Sequence, residues 1–236
     1  MFALNAPLPM NKSLRVLSAL LSYPDAPLRG HLAEMRRLLH AERAITSSRL
    51  VELDGLMDTL RRSDPLKSES DYVELFDRGR STSLHLFEHV HGDSRERGPA
   101  MIDLGQTYEK AGLYLAESEL PDYLPAVLEF VSTQPPKEAK AFLGEMAHIF
   151  NALFGALQQR GSAYASVIGA LLDLAGERAQ PVKPRAEEAL DESWAEPVVF
   201  DGCSTQGQAK PGQPQPIHVV RSARSPAARA APGVSA

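Results

Sequence analysis

Residues 142–157 read FLGEMAHIFNALFGAL, and the spacing in this stretch decides the fold class. Phe142, Met146, Ile149, Phe150, Leu153 and Leu157 recur every three or four residues. That period lines one face of a helix, whereas a strand would alternate. It is the broadest such stripe in the chain, and it reads as core rather than as a ligand box.

The same period extends outward in both directions. Leu14, Leu17, Leu20 and Leu21 form a stripe that stops at Tyr23-Pro24, because proline disfavours helical geometry in the residue before it. Asp25 is placed to cap the next helix, with Leu28, Leu32, Met35 and Leu39 on its inner face. Leu50, Leu53, Met57 and Leu60 repeat the pattern, and Pro65 can open the helix that carries Tyr72, Leu75 and Phe76. Met101, Leu104, Tyr108 and Leu115 share a face, and Tyr164, Val167, Ile168, Leu171 and Leu172 form the last stripe. No segment alternates as a half-buried strand does. About seven to nine helices with short breaks imply an all-α bundle.

Composition narrows the function classes. The chain has 236 residues, 43% hydrophobic and 23% charged, enough to bury a sizeable core. Net charge is −5, and the residues after Asp201 hold no acid but include Lys210, Arg221, Arg224 and Arg229. The preceding residues therefore net −9, which disfavours nucleic acid as a partner and favours a basic one. Cys203 is the only cysteine, so no intrachain disulfide can form, as suits a reducing compartment. The start, MFALNAPLPMNKSLRVLSALLSYP, lacks the basic, apolar and small-residue pattern of a secretory signal. Its apolar run is too short to cross a bilayer. A cytoplasmic chain without stable membrane association is expected.

Past Arg178 proline, alanine, glutamine and glycine take over. The expected organisation is a helical domain over 11–178, a linker over 179–202 and a disordered basic tail over 203–236. The linker holds one amphipathic island, ALDESWAEPVVF, with Trp194 and Phe200.

Residues 84–98, LHLFEHVHGDSRERG, concentrate the polar chemistry. HLFEH at 85–89 fits the H-x-x-E-H pattern of a class of zinc peptidases, in which histidines one helical turn apart bind metal and the glutamate activates water. That class also needs a third, carboxylate ligand, and Glu109, Glu117 and Glu177 are undistinguished. A plainer reading makes His85 and His89 half-buried helix positions bonded to neighbouring carboxylates. Glu74 precedes Arg78 by four and Asp93 precedes Arg97 by four, the favourable order for intrahelical pairs. In a third reading, Gly79 and Gly92-Asp93 bracket the element with turns. Leu84, Phe87 and Leu86 then pack inward, while the histidines, Glu88, Arg78, Arg80, Arg95 and Arg97 converge in a polar knot beside a groove. Phosphate-binding, dinucleotide-binding, nucleophile-elbow and C-x-x-C motifs are all missing. Ser162 and Ser166 have no evident base.

The run YVELFDRGRSTSLHLFEHVHGDSRERGPAMIDL at 72–104 resembles the signature of the respiratory nitrate reductase maturation chaperones, the NarJ family, within the wider TorD-like group. LLSYPD at 20–25, ELPDYLPAVLEFVS at 119–132 and LQQRGSAYASVIGALLDLA at 157–175 support it. The resemblance spans roughly residues 13–178 and faintly 189–203. It implies an all-α, TorD-like helical bundle with a disordered C-terminal tail, no catalysis and no cofactor of its own. It also implies a partner: the apo form of the nitrate reductase alpha subunit, held by its N-terminal segment until its molybdenum cofactor is inserted. Molybdenum cofactor delivery proteins are possible further partners. One departure stands out, because relatives usually carry histidine after the Leu-Pro-Asp of the ELPD motif and this chain has Tyr123.

On this basis the client surface is expected around Tyr72, Phe76, Asp77, Arg78, Arg80, Phe87, Glu88, His89 and His91. Leu120, Pro121, Asp122 and Tyr123 would form a hinge or second groove wall. The rival classes are a zinc metallopeptidase using His85, Glu88 and His89, and a generic helical adaptor.

Overall fold

The computed structural model describes residues 9–92, 94–116 and 119–180. The island with Trp194 and Phe200 and the basic tail lie outside the described residues, as do Asp93 and Glu117. Among the described residues there are ten α-helices, a single 3-10 turn at Arg80–Thr82 and no strand.

The first four helices match the periodic stripes. Helix α1 (Asn11–Leu20) buries Leu14, Leu17 and Leu20. In α2 (Ala26–Glu42) the Asp25 carboxylate caps the first turn by accepting the Leu28 N–H at 2.9 Å. Helix α3 (Ser47–Arg62) buries Leu50, Leu53, Leu56, Met57 and Leu60. Pro65 occupies the first turn of α4 (Pro65–Phe76), whose cap is Asp64.

The remaining helices depart from expectation in three places. Helix α5 (Leu86–Val90) is only five residues long, with His85 extended before it. Helix α6 (Arg97–Lys110) ends before Leu115, so that residue does not continue the Met101, Leu104, Tyr108 face. Tyr108 is the one fully buried side chain of α6, and Ile102 is 62% exposed. The stripe at 142–157 belongs to two helices rather than one. After α7 (Leu124–Thr133), α8 (Pro136–Glu145) stops at Met146, two residues past Gly144, a poor helix former, and α9 (Ala147–Gln159) starts anew. This split and the short α5 raise the helix number above the predicted range.

Helix α10 (Ala165–Ala175) is buried on nearly every side and packs against α9, α8 and α3. A helix apolar all round belongs at the centre. Around it α1 runs along α7 and α2. Gly169 lets α3 come close: a Cβ there would sit 2.5 Å from the Arg49 guanidinium. Arg49 thereby reaches Asp173 on α10 at 3.1 Å and pins the two helices together.

Candidate functional site

Two segments far apart in sequence meet at one buried carboxylate. Asp122 is 0% exposed. Its Oδ2 accepts the Phe87 N–H at 3.1 Å, and its Oδ1 takes a hydrogen bond from His85 Nδ1 at 3.2 Å. The backbone ties the same segments: Leu86 N–H donates to Asp122 O at 3.0 Å and Leu124 N–H to Leu84 O at 2.8 Å. These bonds frame an isolated antiparallel bridge between His85 and Tyr123. A buried carboxylate is tolerable only with such donors around it. Arg97 completes the set, 3.8 Å from Asp122 and 3.4 Å from Glu88.

Bonding to the Asp122 carboxylate raises the His85 pKa above the ordinary histidine value, against the opposing effect of burial. His89 Nε2 donates to the Ser83 carbonyl at 2.8 Å, folding the start of α5 back on itself. The His91 ring meets Phe87 edge-on at 5.4 Å.

This geometry removes the premise of the zinc reading. His85 lies outside the helix, and the three polar side chains of HLFEH face Asp122, Arg97 and Ser83, respectively. Among the described residues no group of three or more His, Cys, Asp or Glu is placed to hold a metal.

An aromatic layer adjoins the knot. Tyr72 and Phe76 are 5% and 4% exposed, so they are interior residues rather than open surface. Tyr72 meets Tyr23 at 5.7 Å and Phe76 at 4.8 Å, and Phe76 meets Tyr164 at 5.1 Å. Tyr23 is exposed at the outer end of this layer. The Tyr72 hydroxyl donates to the Leu21 carbonyl at 2.7 Å. Its single proton is thereby used, so Tyr123, 3.3 Å away, is the donor between the two hydroxyls. Tyr123 thus takes up its place as a ring on His85 at 5.5 Å and a hydroxyl on Tyr72.

The other expected residues scatter around this centre. Asp77, Arg78 and Arg80 lie exposed past the end of α4, and Arg78 pairs with Glu74 at 2.9 Å. Gly79 is buried there and leaves no room for a side chain, since a Cβ would fall 2.6 Å from the Thr82 hydroxyl, which donates to the Leu75 carbonyl. Leu86 is fully buried and Phe87 only half-buried, the reverse of the expected emphasis. Arg95 is exposed, and Arg97 turns to Glu88 and Asp122; Asp93, its expected partner, is outside the described residues. Leu120 is 46% exposed, and the Pro121 carbonyl accepts the Tyr108 hydroxyl at 2.8 Å. Sequence reasoning named Asp122 as a wall residue but missed its place at the centre, and it left His85 and Tyr108 off the site. The only local signal for Asp122 was an acid lodged in the apolar run LPDYLPAVLEF.

Taken as chemistry, the knot fixes two chain segments, and among the described residues it has no nucleophile hydrogen-bonded to a base.

Residues 25–168 match the family described as nitrate reductase delta subunit. The chain is 42% identical over 196 residues to the nitrate reductase molybdenum cofactor assembly chaperone NarJ of Escherichia coli K12, covering 79% of this chain and 83% of that protein. It is 34% identical over 171 residues to the nitrate reductase-like protein NarX of Mycobacterium tuberculosis H37Rv, 71% of this chain and 25% of that longer one. A solved protein from Archaeoglobus fulgidus, assigned to redox enzyme maturation, shares the fold with a TM-score of 0.54 at 22% identity. That match covers 75% of this chain and 100% of the other.

Proposed function

The chain belongs to the nitrate reductase delta subunit family, and from that premise we propose that it is a non-enzymatic, system-specific chaperone of nitrate reductase. It binds the N-terminal segment of the apo alpha subunit, keeps that subunit competent for molybdenum cofactor insertion, and delays membrane assembly until insertion is done. Proteins that deliver the molybdenum cofactor are the second class of partner. The site of action is the cytoplasm, and no helix among the described residues is long and apolar enough to cross a membrane.

The observation that carries this reading is the 42% identity to an assembly chaperone over most of both chains. The geometry supports it. Asp122 braces the 84–87 and 122–124 segments as two fixed walls beside an aromatic layer that surfaces at Tyr23. Fixed walls beside that aromatic layer suit an amphipathic client helix anchored one turn apart. The acidic sign of the body suits a basic client and raises its association rate. Two or three buried anchors at about 1.5–3 kcal/mol each, less ordering costs, give roughly micromolar affinity, tight enough to hold and loose enough to release.

The test is an NMR titration with a synthetic peptide of the client's N-terminal segment. Shifts are expected at Tyr72, Phe76, Phe87, His89, His91 and 120–123. Shifts confined to residues beyond 203 would overturn the site. Normal molybdenum loading of nitrate reductase in cells lacking this chain would overturn the function.

A further inference from the structure

The charges of α4 are balanced on one flank and left open on the other. Lys67 pairs with Asp71 at 2.6 Å and Arg78 with Glu74 at 2.9 Å, each pair four residues apart. Leu66, Glu69, Val73 and Asp77 recur every three or four residues and so share the opposite flank. Leu66 is 74% exposed, Val73 half-buried and Asp77 exposed. Among the described residues, neither Glu69 nor Asp77 has a basic side chain paired with it; Glu69 accepts the Tyr23 hydroxyl at 3.1 Å.

Tyr23 stands beside this flank, its residue 44% exposed and its ring edge-on to Tyr72. Desolvation, and then the negative charge of Glu69, Asp25 and Asp77, raises its pKa, so the ring stays neutral under the influence of three carboxylates. Arg29, one turn past Asp25 on α2, is turned elsewhere. Its guanidinium donates to the Ser68 hydroxyl at 3.0 Å and the Ser63 carbonyl at 2.6 Å. The electron-rich face of a neutral ring attracts a cation, and nearby carboxylates add to that attraction. An exposed aromatic amid uncompensated acids is therefore matched to a cation that the described residues do not supply.

Resting on the proposed function, we infer that this flank docks a basic, helical stretch of the client's N-terminal segment. An arginine of that segment lies on the Tyr23 ring between Glu69 and Asp77, and an apolar side chain one turn away covers Val73. Charge complementarity selects this occupant. A planar guanidinium stacks on a ring while its N–H fork meets a carboxylate, which a compact ammonium does less well. A wholly apolar segment would strip water from two carboxylates without replacing it. A second copy of this chain would bring another acidic body. The flank also adjoins the aromatic layer through the Tyr23–Tyr72 contact at 5.7 Å, so one segment can reach both.

The test uses the full chain, calorimetric titration and a synthetic peptide of the alpha subunit's N-terminal segment, with versions in which each arginine or lysine is singly replaced by glutamine. Glu69→Gln with Asp77→Asn should weaken binding about fivefold or more, and one substituted peptide should lose its sensitivity to that change. Asp71→Asn with Glu74→Gln removes the same charge from the paired flank and should alter binding by less than about twofold. Tyr23→Phe keeps the ring and should bind normally, whereas Tyr23→Leu should weaken binding about threefold. Thermal melts check folding. Should Glu69→Gln lower Tm, Asp77→Asn alone carries the charge test, with a loss of about twofold. If the two charge pairs weaken binding equally, or neither does, the acidic body only steers and the docking surface falls while the chaperone reading stands. Normal binding by Tyr23→Leu removes the ring as the seat and overturns the surface as stated. No binding by the unaltered chain overturns both readings.

Discussion

The carboxylate of Asp122 accepts the backbone N–H of Phe87 at 3.1 Å across 35 residues of chain. A cap of this kind is normally local, contributed by the residue just before a helix. Here it comes from a segment 35 residues further on, so α5 starts properly only when the 120–124 segment is in place. Local structure and tertiary assembly are one event at this point.

Asp122→Ala should destabilise the fold by about 3 kcal/mol, because it strands a buried N–H and removes the counter-charge near Arg97 and His85. Asp122→Asn keeps an acceptor for Phe87 and should lose less. Urea denaturation of both variants measures the order, and equal losses would contradict it.

Stability should also depend on pH through His85. Its folded-state pKa is raised, chiefly by the hydrogen bond to Asp122. A raised folded value means the contribution is full below the ordinary histidine pKa of 6.5 and fades as pH climbs through the raised value. The gap in urea midpoint between the unaltered chain and His85→Gln should therefore narrow as pH rises. Glu88 and Arg97 face the same group, the first raising and the second lowering its value. A gap independent of pH would rule the linkage out.

The two tyrosine hydroxyls should prove unequal. Tyr72→Phe removes a buried bond to the Leu21 carbonyl at 2.7 Å and should cost about 1.5 kcal/mol. Tyr123→Phe removes only a long 3.3 Å contact and should cost less than about 0.5 kcal/mol. Thermal melts at one pH decide the ranking.

Client binding should weaken as salt rises, since screening sets in within about 8 Å at physiological ionic strength. Titrations from roughly 50 to roughly 500 mM salt should show a steady fall in affinity. Flat affinity would assign the interaction to apolar anchors alone.

Much of the fold was legible because burial imposes a period. The stripes of α1 to α4 and α10 were readable from leucine spacing, and Asp25 and Pro65 marked true helix starts. Spacing cannot see a break that keeps the period nearly in phase, so 142–157 read as one helix although it turns at Met146. The site was less legible. H-x-x-E-H implied a shared helical face, but His85 donates instead to Asp122, 37 residues on, and lies outside the helix. No local pattern encodes a partner at that distance. Tyr72 and Phe76 were identified as site residues by motif alone, which carries no information on burial, and both prove to be interior.

Helix α6 buries one side chain fully, Tyr108, with its hydroxyl on the Pro121 carbonyl and its ring 4.9 Å from Phe130, and Arg97 at its start pairs with Glu88 and Asp122. With so little apolar area holding it, this helix is the natural unit of sub-global opening, its amide hydrogens trading with solvent well before those of α10. Because Tyr108 is tethered to the residue next to Asp122, each such excursion loosens one wall of the proposed client site, which would give a chaperone a low-barrier way to relax its grip.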